Sequence, residues 1–376
     1  MAYVAVKGGE AAIENSIELL KLSRSEGPIG LAIEVITSRM KQLVDRVMCE
    51  AGFFAPDYAA LALKQSEGSP EEAVFLMRAY RSTLSRTHTS LTIDCRDMRL
   101  IRRISSAFKD IPLGQILGPT YDYTHRLLNF RLQNESEDEL RSFREQYQAK
   151  ADEADEAAGE MKAARVSELL REEGLIHSYD PDENEPDDVT QDKFMFPASR
   201  SARLQTLFRA DTGFISGVAY AGMRGYGFNA HPTIGELRCG YMEIEIPYPP
   251  DEEERVILGE ILFTEVEGFV SAHNSSDKEH DELGVDIGYG LAFGRAETKA
   301  IAMSILDSAL DHPQAGSPPN DEEFVLLHGE ALEMSGFISH LKLPHYVTYQ
   351  SKLDSIRKTR QGNKSEKDGE MQIEHG

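Results

Sequence analysis

The sequence has no cysteine pair. Cys49, Cys95 and Cys239 stand alone, without a C-x-x-C motif, which excludes a local iron–sulfur or four-cysteine zinc motif and points to a reducing compartment. No apolar run approaches the roughly 18 to 20 residues that a membrane helix needs. The opening MAYVAVKGGE has no apolar signal core, so the expectation is a soluble, cytoplasmic chain. Positive charge is scarce: 40 Lys and Arg stand against 64 Asp and Glu, a net charge of −24. Such a field repels phosphate backbones and argues against bulk nucleic-acid binding, while a small anion can still bind where arginines gather. There is no Gly-x-Ser-x-Gly, no phosphate loop ending in Gly-Lys-Ser/Thr, and no dinucleotide fingerprint of the right spacing. No internal repeat is found.

What is present is enough for a real core. Over 376 residues, 40 % are apolar and 8 % aromatic, which excludes wholesale disorder. The acidity is concentrated: residues 134 to 192 hold 20 Asp and Glu against 6 Lys and Arg. That stretch reads as a solvated insert, partly helical around AKADEADEAAGEMKAARVSELLREEG, that tolerates shortening and ends in the linker-like DPDENEPDDV.

Before the insert, a short strand at Tyr3–Val6 precedes mostly helical sequence. Ile13, Ile17 and Leu20 share one helix face. Ser69-Pro70-Glu71-Glu72 is a helix start with a cap and a capping box. RDMRLIRRISSAFKD reads as an amphipathic helix that groups Arg96, Arg99 and Arg103, either as an ion-paired face or as an anion site. After the insert, SRSARLQTLFRAD predicts a helix and GFISGVAYA a β-rich segment. GELRCGYMEIEIPY and RVILGEILFTEVEGFV flank Pro249-Pro250-Asp251-Glu252, the signature of an antiparallel hairpin with a long turn. GVDIGYGLAFG leads into a helix from Arg295 to about Leu310, and another is expected from Asp321 to Met334. The fold class is α+β. Four parts are expected: a helical 1–133, an acidic 134–193, an α+β 194–358 and a frayed, charged 359–376.

Three constellations carry reactive groups. His340 and His345 flank Leu-Lys-Leu-Pro, and a bend at Pro344 would let both rings converge as half a tetrahedral zinc site; two ordinary loop histidines is the alternative. Arg224-Gly225-Tyr-Gly227-Phe-Asn-Ala-His231 is a glycine-punctuated loop with one cation and one imidazole, suited either to a phosphate or to a tight turn. Gly118-Pro-Thr-Tyr-Asp122-Tyr-Thr-His125-Arg126 gathers an acid, an imidazole, a cation and two tyrosines. Asp122 and His125 stand close enough on a helical turn to share a proton; a packed polar helix start explains the density equally well.

Together these segments resemble the I-subunit family of the carbon–phosphorus lyase core complex. The likeness rests on YVAVKGGE, LALKQ, RAYRSTL, MRLIRRIS, KDIPLGQILGPTYDYTHRLL, SRSARLQ, RGYG, YGLAFG, DEEFVL and GFISHLKLPHYV, and covers nearly the whole chain except the acidic block and the tail. It implies a subunit that, with others, displaces adenine from Mg-ATP with methylphosphonate to give ribose 1-methylphosphonate 5-triphosphate. It also implies a separate radical iron–sulfur subunit, with zinc held by His340 and His345 at the contact and completed by the partner chain. Such a reaction wants a carboxylate near ribose C1′, for which Asp122 or Glu236 is a candidate, and a proton for adenine, for which His125 or His231 is. Arg224, Gly225 and Gly227, together with Arg99 and Arg103, are the candidates for phosphate. The rival reading is a scaffold that holds the radical partner without doing chemistry.

Overall fold

The computed structural model describes residues 9–26, 30–155, 164–176, 185–226, 232–248, 251–273, 283–342 and 346–373. The expected strand at Tyr3–Val6 lies outside them. Contacts divide the chain into two units, Met1–Leu31 with Leu332–Gly376, and Ala32–Ala331.

The larger unit is α+β, as its alternating periodicities predict. Helices α2 (Ile33–Arg39), α3 (Lys41–Ala51), α4 (Pro56–Gln65) and α5 (Pro70–Arg81) precede a four-stranded sheet. For α5 the capping prediction holds: the Ser69 hydroxyl accepts from the Glu72 amide at 3.3 Å, and Pro70 opens the first turn. The sheet runs β1 (Arg99–Ile104), β2 (Thr233–Tyr248), β3 (Asp251–His273) and β4 (Leu283–Phe293) in spatial as in chain order, every pair antiparallel. The β2–β3 pair is the expected hairpin, but not with a long turn: Tyr248 pairs with Asp251, and Asp251 and Glu252 open β3.

Directly opposed residues share a face, so the register defines two surfaces. One carries Leu237, Val266 and Ala292 and packs against α10 (Glu297–Leu310) and Cys49 of α3. The helix comes so close that a Cβ at Gly288 or Gly290 would lie 2.0 Å from the Ser304 or Ala300 carbonyl oxygen. On the other face, Ile111, Val166, Leu170 and Ile176 surround Phe269 at one end, and Met98 meets Met242 and Phe263 at the other. Between these apolar ends lies a belt of Arg103, Glu236, Arg238, Glu265 and Glu267, all buried. A third cluster joins α8 (Arg200–Arg209), α9 (Thr212–Ala221), α10 and α11 (Glu322–His328) through Leu207, Ile215, Met303, Leu306 and Val325.

Several elements depart from expectation. GFISGVAYA forms α9 rather than β structure, because Asp211 caps it by accepting from the Phe214 amide at 2.6 Å. RDMRLIRRISSAFKD is not a helix: a 3-10 turn at Cys95–Asp97 leads into β1, whose backbone pairs with β2. The segment from Asp321 divides into α11 and α12 (Ala331–Ser339). The acidic block contains α6 (Glu137–Asp155) and α7 (Val166–Glu172), and α7 belongs to the core.

The smaller unit contains α1 (Gly9–Arg24), the chain from Leu332 through the end of α12, and α13 (Tyr346–Ile373). Regular helix therefore continues past Lys358 into the segment expected to be frayed. Ile13, Ile17 and Leu20, predicted to share a face, are all exposed, as are Phe337, Ile338 and Leu341.

Candidate functional site

The loop after β1 builds the most reactive exposed arrangement. Gly118 has a φ of +59°, and a Cβ there would lie 2.5 Å from the Ile101 carbonyl oxygen and 2.8 Å from the Arg102 Cβ. Only glycine lets this loop lie against β1. A register shift between Leu100 and Arg102 turns the strand at that point. The Arg102 side chain, 3 % exposed, donates through Nη2 to Asp122 Oδ2 at 2.8 Å, and its Nε lies 2.8 Å from Glu297 Oε1 at the start of α10. It also donates to the Leu117 carbonyl. Thr120 Oγ1 donates to Asp122 Oδ2 at 2.7 Å, and Arg126 Nη2 donates to Oδ1 at 3.2 Å.

The two carboxylates are thus driven apart in acidity. The Thr120 hydroxyl, with the charges of Arg102 and Arg126, holds Asp122 below the usual carboxylate range. Burial pushes Glu297 up, opposed by Arg102. Asp122, half exposed, is a fixed negative charge; Glu297, at 23 % side-chain exposure, keeps its proton to higher pH. One arginine holds side by side two carboxylates whose proton affinities are shifted in opposite directions.

Glu236 and Arg103 meet, but inside the protein. Arg103 is 0 % exposed and Glu236 is 1 %. The guanidinium bonds Glu236 and donates to the carbonyls of Pro112 at 2.6 Å and Ala164 at 2.8 Å, while Glu236 Oε2 accepts from the Val166 amide at 3.0 Å. These bonds tie the segment entering α7 to the sheet. Beside them Arg165 reaches Glu265 at 2.7 Å and Glu267 at 3.1 Å, and Tyr289 donates to Glu265 at 2.8 Å. Arg238 Nη1 lies 3.6 Å from Glu265 Oε2. Three arginines and three glutamates balance, as buried charge requires.

The other expected site residues are separate. Arg99 is exposed, paired with Glu260 at 2.7 Å, its guanidinium 4.7 Å from the centroid of the Tyr241 ring; Arg96 pairs with Asp94. The three arginines therefore do not form one face. Arg224 is exposed in the turn after α9, 5.9 Å from the Tyr220 ring centroid, and Gly225 takes a φ of +100°. His125 is exposed, and no hydrogen bond joins it to Asp122 among the described residues. Gly227, His231 and His345 lie outside the described residues.

His340 sits in a 3-10 turn with Nδ1 bonded to the Phe337 carbonyl and its ring 5.2 Å from the Phe337 ring. A carbonyl can only accept, so the neutral ring carries its proton on Nδ1 and its lone pair on Nε2, a tautomer fit to ligate zinc. Among the described residues no group of three His, Cys, Asp or Glu could hold a metal. What fits zinc here is one imidazole of an incomplete set.

Arg102 and Glu297 were not singled out from sequence. Arg102 lies in an arginine-rich run that does not show which member points inward, and Glu297 is 195 residues away from it. The alternation in Leu-Ile-Arg-Arg-Ile, read with period two, is the signal that would have placed one arginine on each face.

Fold and site define an α+β protein that carries an arginine-held carboxylate pair at the edge of one antiparallel sheet. The chain belongs to the bacterial phosphonate metabolism protein (PhnI) family, whose sequence model matches residues 2–363. It is 42 % identical over 369 residues to the alpha-D-ribose 1-methylphosphonate 5-triphosphate synthase subunit PhnI of Escherichia coli (strain K12), covering 96 % of this chain and 98 % of the relative. To the protein of the same description from Rhizobium meliloti (strain 1021) it is 41 % identical over 367 residues, 95 % of each chain.

Proposed function

We propose that this chain is a subunit of a phosphonate-degrading carbon–phosphorus lyase complex and takes part in displacing adenine from ATP with methylphosphonate. The observation that supports it most is near full-length identity to relatives named as synthase subunits of that product. In this reading a phosphonate oxygen attacks ribose C1′ as the C1′–N9 bond breaks. Adenine leaves with the bonding electrons and gains a proton, and the triphosphate stays on C5′. Positive charge builds on the sugar ring as the bond loosens, and Asp122, ionised and fixed by Arg102, Thr120 and Arg126, is the group suited to stabilise it. Glu297, whose proton is held to higher pH, is suited to protonate the departing base, alongside the histidine candidates His125 and His231. Arg224 with Gly225 and Gly227 remains the proposed phosphate contact, and Mg²⁺ accompanies the triphosphate as part of the substrate.

Partner subunits have surface to bind. Leu127, Leu128, Phe130 and Leu132 are each more than 60 % exposed beside the Asp122 loop, and α1 presents its own apolar residues. Zinc is proposed at His340 and His345, completed by a partner chain. No helix of the described residues is long and apolar enough to cross a membrane. The test is adenine release by the assembled complex: release that needs ATP, methylphosphonate and this chain together supports the reading. Full release from an assembly lacking this chain contradicts it. The same apolar exposure also favours the scaffold reading, which predicts that an assembly holding an Asp122 variant works normally.

A further inference from the structure

The ends of α5 and α8 meet where the Arg78 guanidinium donates to the Arg209 carbonyl, with Arg81 and Arg86 as electrostatic neighbours. Arg78 and Arg81 occupy the last turn of α5, Arg209 the last residue of α8, and Arg86 the loop beyond α5. Two of them are answered: Arg78 pairs with Glu330 and donates to the Glu50 and Arg209 carbonyls, and Arg86 pairs with Asp188. Among the described residues Arg81 and Arg209 make no side-chain hydrogen bond or ion pair. Their side chains are half-buried, yet their nitrogens are not sealed from solvent. The stem of Arg209 lies on Gly52, where a Cβ would stand 3.3 Å from its Cγ and Cδ, so the guanidinium is held by a left-handed helix end. Helix C-termini favour a cation each. They do not account for four arginines gathered around only two nearby carboxylates, Asp188 and Glu330.

We propose that Arg81 and Arg209, backed by Arg78 and Arg86, bind a phosphate-type dianion: inorganic phosphate, a phosphonate, or one phosphoryl group of a polyphosphate. Four guanidiniums against Asp188 and Glu330 leave a net charge of +2, which a dianion cancels. Two planar forks suit a tetrahedral oxyanion. Burial and the neighbouring Arg78 and Arg81 push the Arg209 guanidinium down to about 10, and burial with Arg86 lowers Arg81. Both remain charged at neutral pH; burial is the larger cause of both shifts, and the like-charged neighbours outweigh Asp188 and Glu330. RAYRSTL supplies two members of the set, whereas Arg209 is contributed by a helix 128 residues further on. The site does not depend on the adenine-displacement reading, because none of these residues belongs to the Asp122 arrangement.

The experiment titrates inorganic phosphate, methylphosphonate and tripolyphosphate separately into the full chain at constant chloride, for the parent and for Arg81→Gln and Arg209→Gln. Saturable binding is expected at a site that loses roughly 10-fold or more in affinity in each variant. Tighter binding of tripolyphosphate than of the single-headed anions identifies a polyphosphate tail as the ligand; equal binding identifies a lone phosphoryl or phosphonyl group. Phenylglyoxal modification of the parent, read peptide by peptide, needs no variant to fold: phosphate should protect Arg81 and Arg209 and leave Arg224 reactive. No saturable binding below about 10 mM, unchanged affinity in both variants, or equal modification of Arg81 and Arg209 with and without phosphate would overturn the proposal.

Discussion

Asp45 shows how one side chain ties pH to stability. It is 9 % exposed, its Oδ2 accepts from the Arg295 amide at 3.0 Å, and a Cβ at Gly294 would collide with its carboxylate. Burial dominates over that hydrogen bond and pushes the acid up from 3.8 to about 6. The folded chain therefore holds the proton more tightly than the unfolded one. The stability this contributes is complete below pH 4 and is lost as pH rises through 6. A shift of about two units corresponds to at most about 3 kcal/mol. Asp45→Asn, which keeps an acceptor for the Arg295 amide, should gain on the parent by up to that amount between pH 4 and 7. Urea unfolding at each pH measures it, and a constant difference would mean that Asp45 titrates normally. The same logic divides Asp122 from Glu297: hydrogen bonds and cations lower one while burial raises the other.

At the scale of elements, close approach fixes the sheet against α10. Gly290→Ala places a methyl group 2.0 Å from the Ala300 carbonyl oxygen and should cost about 3 kcal/mol or more, since backbone rather than a flexible side chain must yield. Gly217→Ala, inside α9 with nothing within 4 Å, should instead stabilise by about 0.4 to 1 kcal/mol. Thermal or urea unfolding of the two variants gives opposite signs if the helix sits where described. The acidic block divides similarly. Deleting residues 150–159 should change stability by less than about 1 kcal/mol, because the stretch is rich in charge and poor in periodic apolar residues. Arg165→Met should cost about 3 to 5 kcal/mol by leaving the buried Glu267 carboxylate without its ion-pair partner and Glu265 with only Arg238 and the Tyr289 hydroxyl. If the deletion costs as much as the point substitution, the block is structural throughout.

These elements also show what the sequence made legible. The β2–β3 hairpin and α5 are locally encoded, by strand-forming segments on either side of a Pro-Pro pair and by a Ser-Pro-Glu-Glu start. The strand at 99–104 is not, because arginines at 96, 99 and 103 imitate helical spacing while its true partner is more than 130 residues away. α9 was misread because its phenylalanine, isoleucine and valine favour strands, and the Asp211 cap overrides them. Asp122 and Arg126 stood out as a dense local cluster. The Arg103–Glu236 pair did not, since burial of an ion pair is set by the tertiary fold; each residue was noticed, their union was not.

At the scale of the whole molecule, apolar residues left exposed on α1, on α12 and after β1 belong to a chain whose relatives are named as subunits. A shared metal is the corresponding expectation at His340 and His345. In the assembled complex the His340→Ala, His345→Ala double variant should lose its zinc, measured by elemental analysis, with unfolding of the isolated chain shifted by less than about 1 kcal/mol, as for surface substitutions. Full zinc occupancy in that variant would place the metal elsewhere.

Asp122 is the fixed charge proposed to stabilise the sugar in the transition state. The most direct measurement is steady-state adenine release from ATP and methylphosphonate by the assembled complex, parent against Asp122→Asn, over a range of ATP concentrations. A group that acts mainly in the transition state should, when neutralised, lower kcat by about 10- to 150-fold while KM for ATP moves less than about threefold. Unchanged kcat would contradict the account and return the Asp122 loop to a packing role.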